Sequence, residues 1–117
     1  MGYDMFLIKA DKRKIRDIGN IYYEDIESAV ISECNSYRAI LRDFISSRKD
    51  IAWRWEEYNI VPESIMSDII SWFKDIIHSE NWLDNDNDGR MTKYVYEEVK
   101  NWLPLKEHEV ILFEEDA

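Results

Sequence analysis

The spacing of apolar positions changes several times along the chain, and each change marks an element. Residues 3–9 form a short run of aromatic and branched side chains followed by the polar stretch Lys9 to Arg16, which predicts a first strand. From Ile21 to Ser47, apolar residues recur at Tyr23, Ile26, Val30, Cys34, Tyr37, Leu41 and Phe44. Those alternating steps of three and four predict one long amphipathic helix. The segment Asp50 to Ile60, with Trp53, Trp55 and Tyr58, has weaker periodicity and reads as a short helix or an irregular aromatic connector. Pro62 suits a helix's first turn, and Ile65, Met66, Ile69, Ile70, Phe73, Ile76 and Ile77 draw an apolar stripe along the helix that follows. After a polar loop at residues 81–91, Thr92 can cap a further helix with Val95, Val99 and Trp102 facing inward and Pro104 beyond its end. The run Glu109 to Phe113 reads as a last strand.

Two terminal strands would most economically pair with each other, because a lone strand leaves its backbone polar groups unpaired. The expected fold is therefore an α+β domain that is mostly helical: three or four helices, with the N- and C-terminal strands pairing in a small sheet. A chain of 117 residues with 45% hydrophobic residues, three Gly and two Pro fits one compact domain over residues 1–117. The lone Cys34 allows no internal disulfide, no secretory leader is visible, and no apolar run approaches the roughly 20 residues of a membrane span. A soluble, cytoplasmic protein with no membrane partner is expected.

Charge narrows the functional classes. The net charge is -10, yet residues 1–55 carry nine acids and ten bases while residues 56–117 carry sixteen acids and five bases. Such an excess repels nucleic acid and anionic lipid and attracts basic partners or metal cations, so no direct nucleic-acid contact is expected. Lys9, Lys12, Arg13, Lys14 and Arg16 form one basic cluster, but without interleaved aromatics it reads as a solvated turn or as internal counter-charge. His78 and His108 stand outside zinc-ligand spacing of Cys34 and of each other, and Cys34 falls on the apolar face of the first expected helix. Phosphate loops, nucleophile elbows and metalloprotease helices are all missing from the sequence, so no enzymatic activity is expected.

The sharpest local motif is Asp84-Asn-Asp86-Asn-Asp88-Gly89-Arg90-Met91-Thr92. It resembles an EF-hand calcium loop. The resemblance implies a calcium site: carboxylates from Asp84, Asp86 and Asp88, a sharp turn at Gly89, the Arg90 carbonyl, Met91 packed inward and Thr92 bridged by water. It departs from the family at the last position, where Val95 replaces the bidentate Glu and removes two oxygens, with Glu98 one helical turn further on. It covers about a tenth of the chain, and no second loop accompanies it. The same residues also suit a metal-free connection between helices, their side chains bonding nearby amides.

For partner binding, Trp53, Arg54 and Trp55 are residue types that dominate interface hot spots, and Glu107, Glu109, Glu114, Glu115 and Asp116 crowd the final strand and tail. The leading expectation is a small acidic binding protein that docks on a basic protein, in the manner of an immunity protein, inhibitor or nucleic-acid mimic. Alternatives are a calcium-binding module built on residues 84–92, and a phage or mobile-element accessory or structural protein.

Overall fold

The computed structural model describes residues 4–35, 39–54, 57–79 and 86–116. In chain order the elements are β1 (Asp4–Asp11), a single 3-10 turn (Lys12–Lys14), α1 (Tyr23–Ala29), β2 (Val30–Asn35), α2 (Ala39–Ser47), β3 (Asn59–Val61), α3 (Glu63–Ile77), α4 (Asp86–Val99) and β4 (Glu109–Asp116). The strands form an antiparallel sheet in the order β2-β1-β4-β3.

The expectation of a mostly helical domain with a small sheet of terminal strands is corrected. β1 and β4 pair over eight positions from Asp4↔Asp116 to Asp11↔Glu109, but they are the centre of a four-stranded sheet. The helix expected from Ile21 to Ser47 is interrupted: α1 stops at Ala29, Val30 turns to extended backbone (φ -63, ψ 130), and β2 pairs with β1 before α2 begins. Successive β-branched Val30 and Ile31 favour that exit, because their χ1 freedom is restricted in a helix and they fit a pleated surface. The connector at residues 50–60 ends in β3, which adds three residues to the other edge through Asn59↔Phe113 and Val61↔Ile111. α4 begins at Asp86, so Thr92 is a buried residue inside the helix rather than its cap.

Apolar side chains are buried on both faces of the central strands. Met5, Leu7, Ile111 and Phe113 point to one face, and Ile8, Ala10, Val110 and Leu112 to the other, as strand alternation requires. The first face carries the larger core. Leu41 and Phe44 of α2, Met66, Ile69 and Phe73 of α3, Val95 and Val99 of α4, and Trp102 pack there. Phe44 meets Trp72 edge-on at 5.6 Å, and Arg48 just beyond α2 reaches Asp68 of α3 at 2.8 Å and Asp50 at 2.6 Å.

The second face has a thinner cover, supplied by Ile26 and Ala29 of α1 with Ile15. A seven-residue helix is about 10 Å long, whereas eight-residue strands run about 27 Å. α1 therefore shields only part of this face. Phe6, Ile21 and Tyr58 close the cluster as half-buried residues, and Ile60 of β3 is exposed beside them.

Candidate functional site

Among the described residues, large exposed apolar side chains are Ile18, Tyr22, Tyr23, Val30, Ile31, Ile60 and Tyr94. All but Tyr94 lie in the loop before α1, on α1, at the start of β2 or on β3, the elements that border the thinly covered face. Such clustering marks an interaction surface more than scattered exposure would. At its upper end the face contains a groove of about 460 Å³, lined by residues 18–23, Arg54, Glu57, Tyr58 and Glu114.

One wall of the groove is the turn that leads into α1. The Asp17 carboxylate accepts the Gly19 amide at 2.9 Å, and the Asn20 amide closes back on the Asp17 carbonyl at 3.0 Å. Asp25, 5% exposed, then ties this turn to the helix: it accepts the Tyr22 amide at 3.3 Å and Arg16 Nε at 2.8 Å. Arg16 in turn lies over the Tyr22 ring at 5.7 Å, and the Tyr22 hydroxyl accepts from the Asn20 side chain at 2.9 Å.

The other wall is the segment before β3, and Asn59 shapes it. Its Nδ2 donates to the carbonyls of Arg54 and Glu57, both at 2.9 Å, and more distantly to that of Phe113, while its Oδ1 accepts the Arg54 amide at 2.9 Å. These bonds tie Arg54 and Glu57 to Asn59, next to Tyr58. Arg54 is well exposed and reaches Glu57 only at 3.8 Å. The floor is Glu114 of β4, hydrogen-bonded with Tyr58. Burial first, then the Glu114, Tyr23 and Glu33 groups, push the Tyr58 phenol well above its ordinary range, so the floor is both sheltered and anionic. Replacing Asn59 by Ala is expected to cost about 1–2 kcal/mol and to broaden the amide signals of residues 54 and 57–58, measurable by denaturation and NMR.

The sequence-predicted binding residues are brought together only in part. Arg54 and Glu114 line the groove, whereas Trp53 is half-buried and stacks on Phe113 at 4.7 Å on the opposite side of the sheet. Trp55 lies outside the described residues. β4 is interior, and its acids divide between the faces: Glu109 and Glu115 share the face of Ile111 and Phe113, and Glu114 takes the other. Glu109 is buried, accepting the Lys106 amide at 2.8 Å with Lys9 at 3.5 Å. Glu107 is exposed, beside Lys12, Arg13 and His108, and Asp116 ends β4. Within the early basic cluster, Lys9, Arg13 and Arg16 pair with Glu109, Asp11 and Asp25, so three of those cations are internal counter-charge.

Of the calcium-loop positions, Asp84 lies outside the described residues, and Asp86, Asp88, Arg90 and Thr92 fall on the helical backbone of α4. Val95, at the motif's last position, belongs to the core. No group of three or more His, Cys, Asp or Glu is placed to hold a metal among the described residues. Cys34 is buried, and burial followed by the Glu98 and Glu33 charges pushes its thiol up to about 12, leaving it protonated at neutral pH. No described helix is long and apolar enough to cross a membrane.

Sequence reasoning missed Tyr22, Tyr23, Tyr58 and Asn59 as site residues. Tyr23 stood on the expected apolar stripe, and the signal that could have found it is the run Ile21-Tyr22-Tyr23 directly after Asp17-Ile-Gly-Asn, a turn sequence. Comparison with protein-family models, with curated proteins and with solved structures finds no match, so the reading of this face rests on its own chemistry.

Proposed function

We propose that the protein is a small acidic binding protein that docks on a basic protein partner through the thinly covered face of its sheet. The observation that carries this reading is the gathering of exposed Ile18, Tyr22, Tyr23, Ile31 and Ile60 around a groove that also contains Glu57 and Glu114. Apolar and tyrosine surface supplies the desolvated contact area that governs how long a complex lasts, and the net charge of -10 accelerates encounter with a cationic partner. An inhibitor or immunity protein works in this manner, by occupying a basic surface with no chemistry of its own.

The test is capture of basic proteins from the cells that make this chain, comparing the wild type with Tyr23→Ala and Ile60→Lys. Both side chains are exposed, so stability should stay within about 0.5 kcal/mol of wild type. Capture at low salt should fall about tenfold in each variant and should weaken in the wild type as salt rises. Equal capture by all three proteins, or none of a basic protein at low salt, would refute the docking face.

A further inference from the structure

We infer that the partner adds an extended segment to the outer edge of β2, running antiparallel to it, with a basic residue opposite Glu33 and an apolar residue beside Val30 and Ile31. This rests on the docking reading and states how the partner is held. β2 is an outer strand of the sheet, paired with β1 on one side only, so along its other side alternate residues turn their amides and carbonyls outward. Such a row of main-chain donors and acceptors is complementary to another extended strand. Among the described residues, no other element pairs with that edge. The opposite edge of the sheet is a poorer site, because β3 has three residues against six in β2.

The side chains of β2 specify what that strand must carry. Glu33 is exposed and stands opposite Ile8, so it points to the thinly covered face, the one the docking reading assigns to the partner. A cation directly across from it completes an opposite-charge cross-strand pair. Val30 and Ile31, 39% and 48% exposed, lie at the start of the same strand, so antiparallel pairing brings the residue two places after that cation alongside them. A branched apolar side chain suits that place. The segment therefore reads, in chain order, a basic residue, any residue, then Val or Ile. A second copy of this chain fits worse. A two-fold antiparallel pair centred on Glu33 sets that carboxylate against its own copy, and one centred on Ser32 sets it beside Ile31, while chains of charge -10 repel each other. The register shift between Val30 and Ser32 shortens the regular edge, and together with Glu33 it turns away strands that lack the cation.

The experiment is an NMR titration of the isotope-labelled full chain with the capped peptide Thr-Thr-Arg-Thr-Val-Thr, with the same peptide carrying Glu for Arg, and with two N-methylated forms of the first. One form is methylated at Arg and Val, the other at the Thr residues that flank Arg, so that each blocks the amides turned to one side of the peptide. Saturable shifts at the amides of Ile31, Ser32 and Glu33 are expected with the arginine peptide, and one N-methylated form should lose binding while the other keeps it. The Glu peptide should bind about fivefold more weakly, and Glu33→Lys, an exposed substitution that should keep native dispersion, should reverse that preference. Equal response to the Arg and Glu peptides, equal binding of both N-methylated forms, or shifts centred on β3 would overturn the assignment. So would dimerisation seen by sedimentation with shifts at β2 on raising the protein concentration alone, which would give the edge to a second copy. If Tyr23→Ala and Ile60→Lys abolish protein capture while the arginine peptide leaves β2 unmoved, the docking face stands and the added strand falls. If those two variants leave capture intact, both fall.

Discussion

Leu7→Ala is expected to lower the free energy of unfolding by about 3–4 kcal/mol, a large share of the roughly 5–15 kcal/mol that stabilises a domain of this kind. Leu7 is fully buried at the centre of β1, opposite Cys34 of β2 and Phe113 of β4, beneath the layer formed by α2, α3 and α4. Truncation there removes apolar contacts and leaves a cavity between a sheet and three helices, which cannot all move inward to close it. Urea denaturation should show a lower midpoint at an unchanged slope, and a changed slope would mean that the native or denatured state had been altered instead. Ile60→Lys provides the contrast. That residue is on the edge strand of the thinly covered face, so its loss should leave the midpoint almost unmoved while impairing capture. Burial over the two faces thus separates what stabilises the fold from the surface that the docking proposal assigns to a partner.

The termini of the fold were legible because central strands and a long amphipathic helix have unambiguous patterns. β1 and β4 each contain an unbroken apolar run, Met5 to Ile8 and Val110 to Phe113, as strands buried on two faces do, and α3 follows its stripe from Glu63 to Ile77 with Met66, Ile69 and Phe73 buried. The middle was misread for a definite reason. Val30 and Cys34 are four apart, a spacing that fits one face of a helix, whereas in β2 a register shift sets Cys34 opposite Leu7 on one face of the sheet and Val30 opposite Ala10 on the other. No Gly or Pro marks the break after Ala29, and what decides it is pairing with β1, a partner 25 residues back at Ile8↔Glu33 and 23 back at Lys9↔Ser32, which local spacing does not contain. β3 was hidden by its length, since three residues carry no period.

The candidate site was less legible than the fold, because it arises from an area left uncovered. Its residues come from the loop before α1, from Arg54, Glu57 and Tyr58 ahead of β3, and from the end of β4, and only the sheet order brings them together. Charge counting pointed to the C-terminal acids as a group, but alternation along β4 sends Glu114 to the groove and Glu109 and Glu115 beneath the helices. Trp53 was likewise a sound hot-spot candidate by type, and its place in the structure is a stacking contact on Phe113.

Glu109 and Glu115 share one face of β4 but differ in their surroundings, which makes them opposite in their effect on stability, and the second large prediction follows from that difference. The Lys106 amide, aided by the Lys9 charge and opposed by burial, holds the Glu109 carboxyl below the usual carboxylate range. A depressed folded value means that Glu109 stabilises the fold above its unfolded value of roughly 4.3, and that this contribution is lost as pH falls through the folded value. Asp11, held down to about 2 chiefly by its hydrogen bonds from Arg13, acts in the same sense in more acidic solution. Glu115 behaves in reverse: burial raises it despite the opposing Arg42 charge, so its contribution is present at low pH and is lost as pH rises through the folded value. At pH 7, Glu109→Ala should therefore cost about 2–3 kcal/mol, because it strands the half-buried Lys9 and the Lys106 amide, whereas Glu115→Gln should raise stability by up to about 1 kcal/mol. Thermal melts from pH 7 to pH 3 are expected to bring both variants toward the wild type from opposite sides. A loss of stability in both at pH 7 would mean that Glu115 is satisfied where it is and that the two carboxylates do the same work.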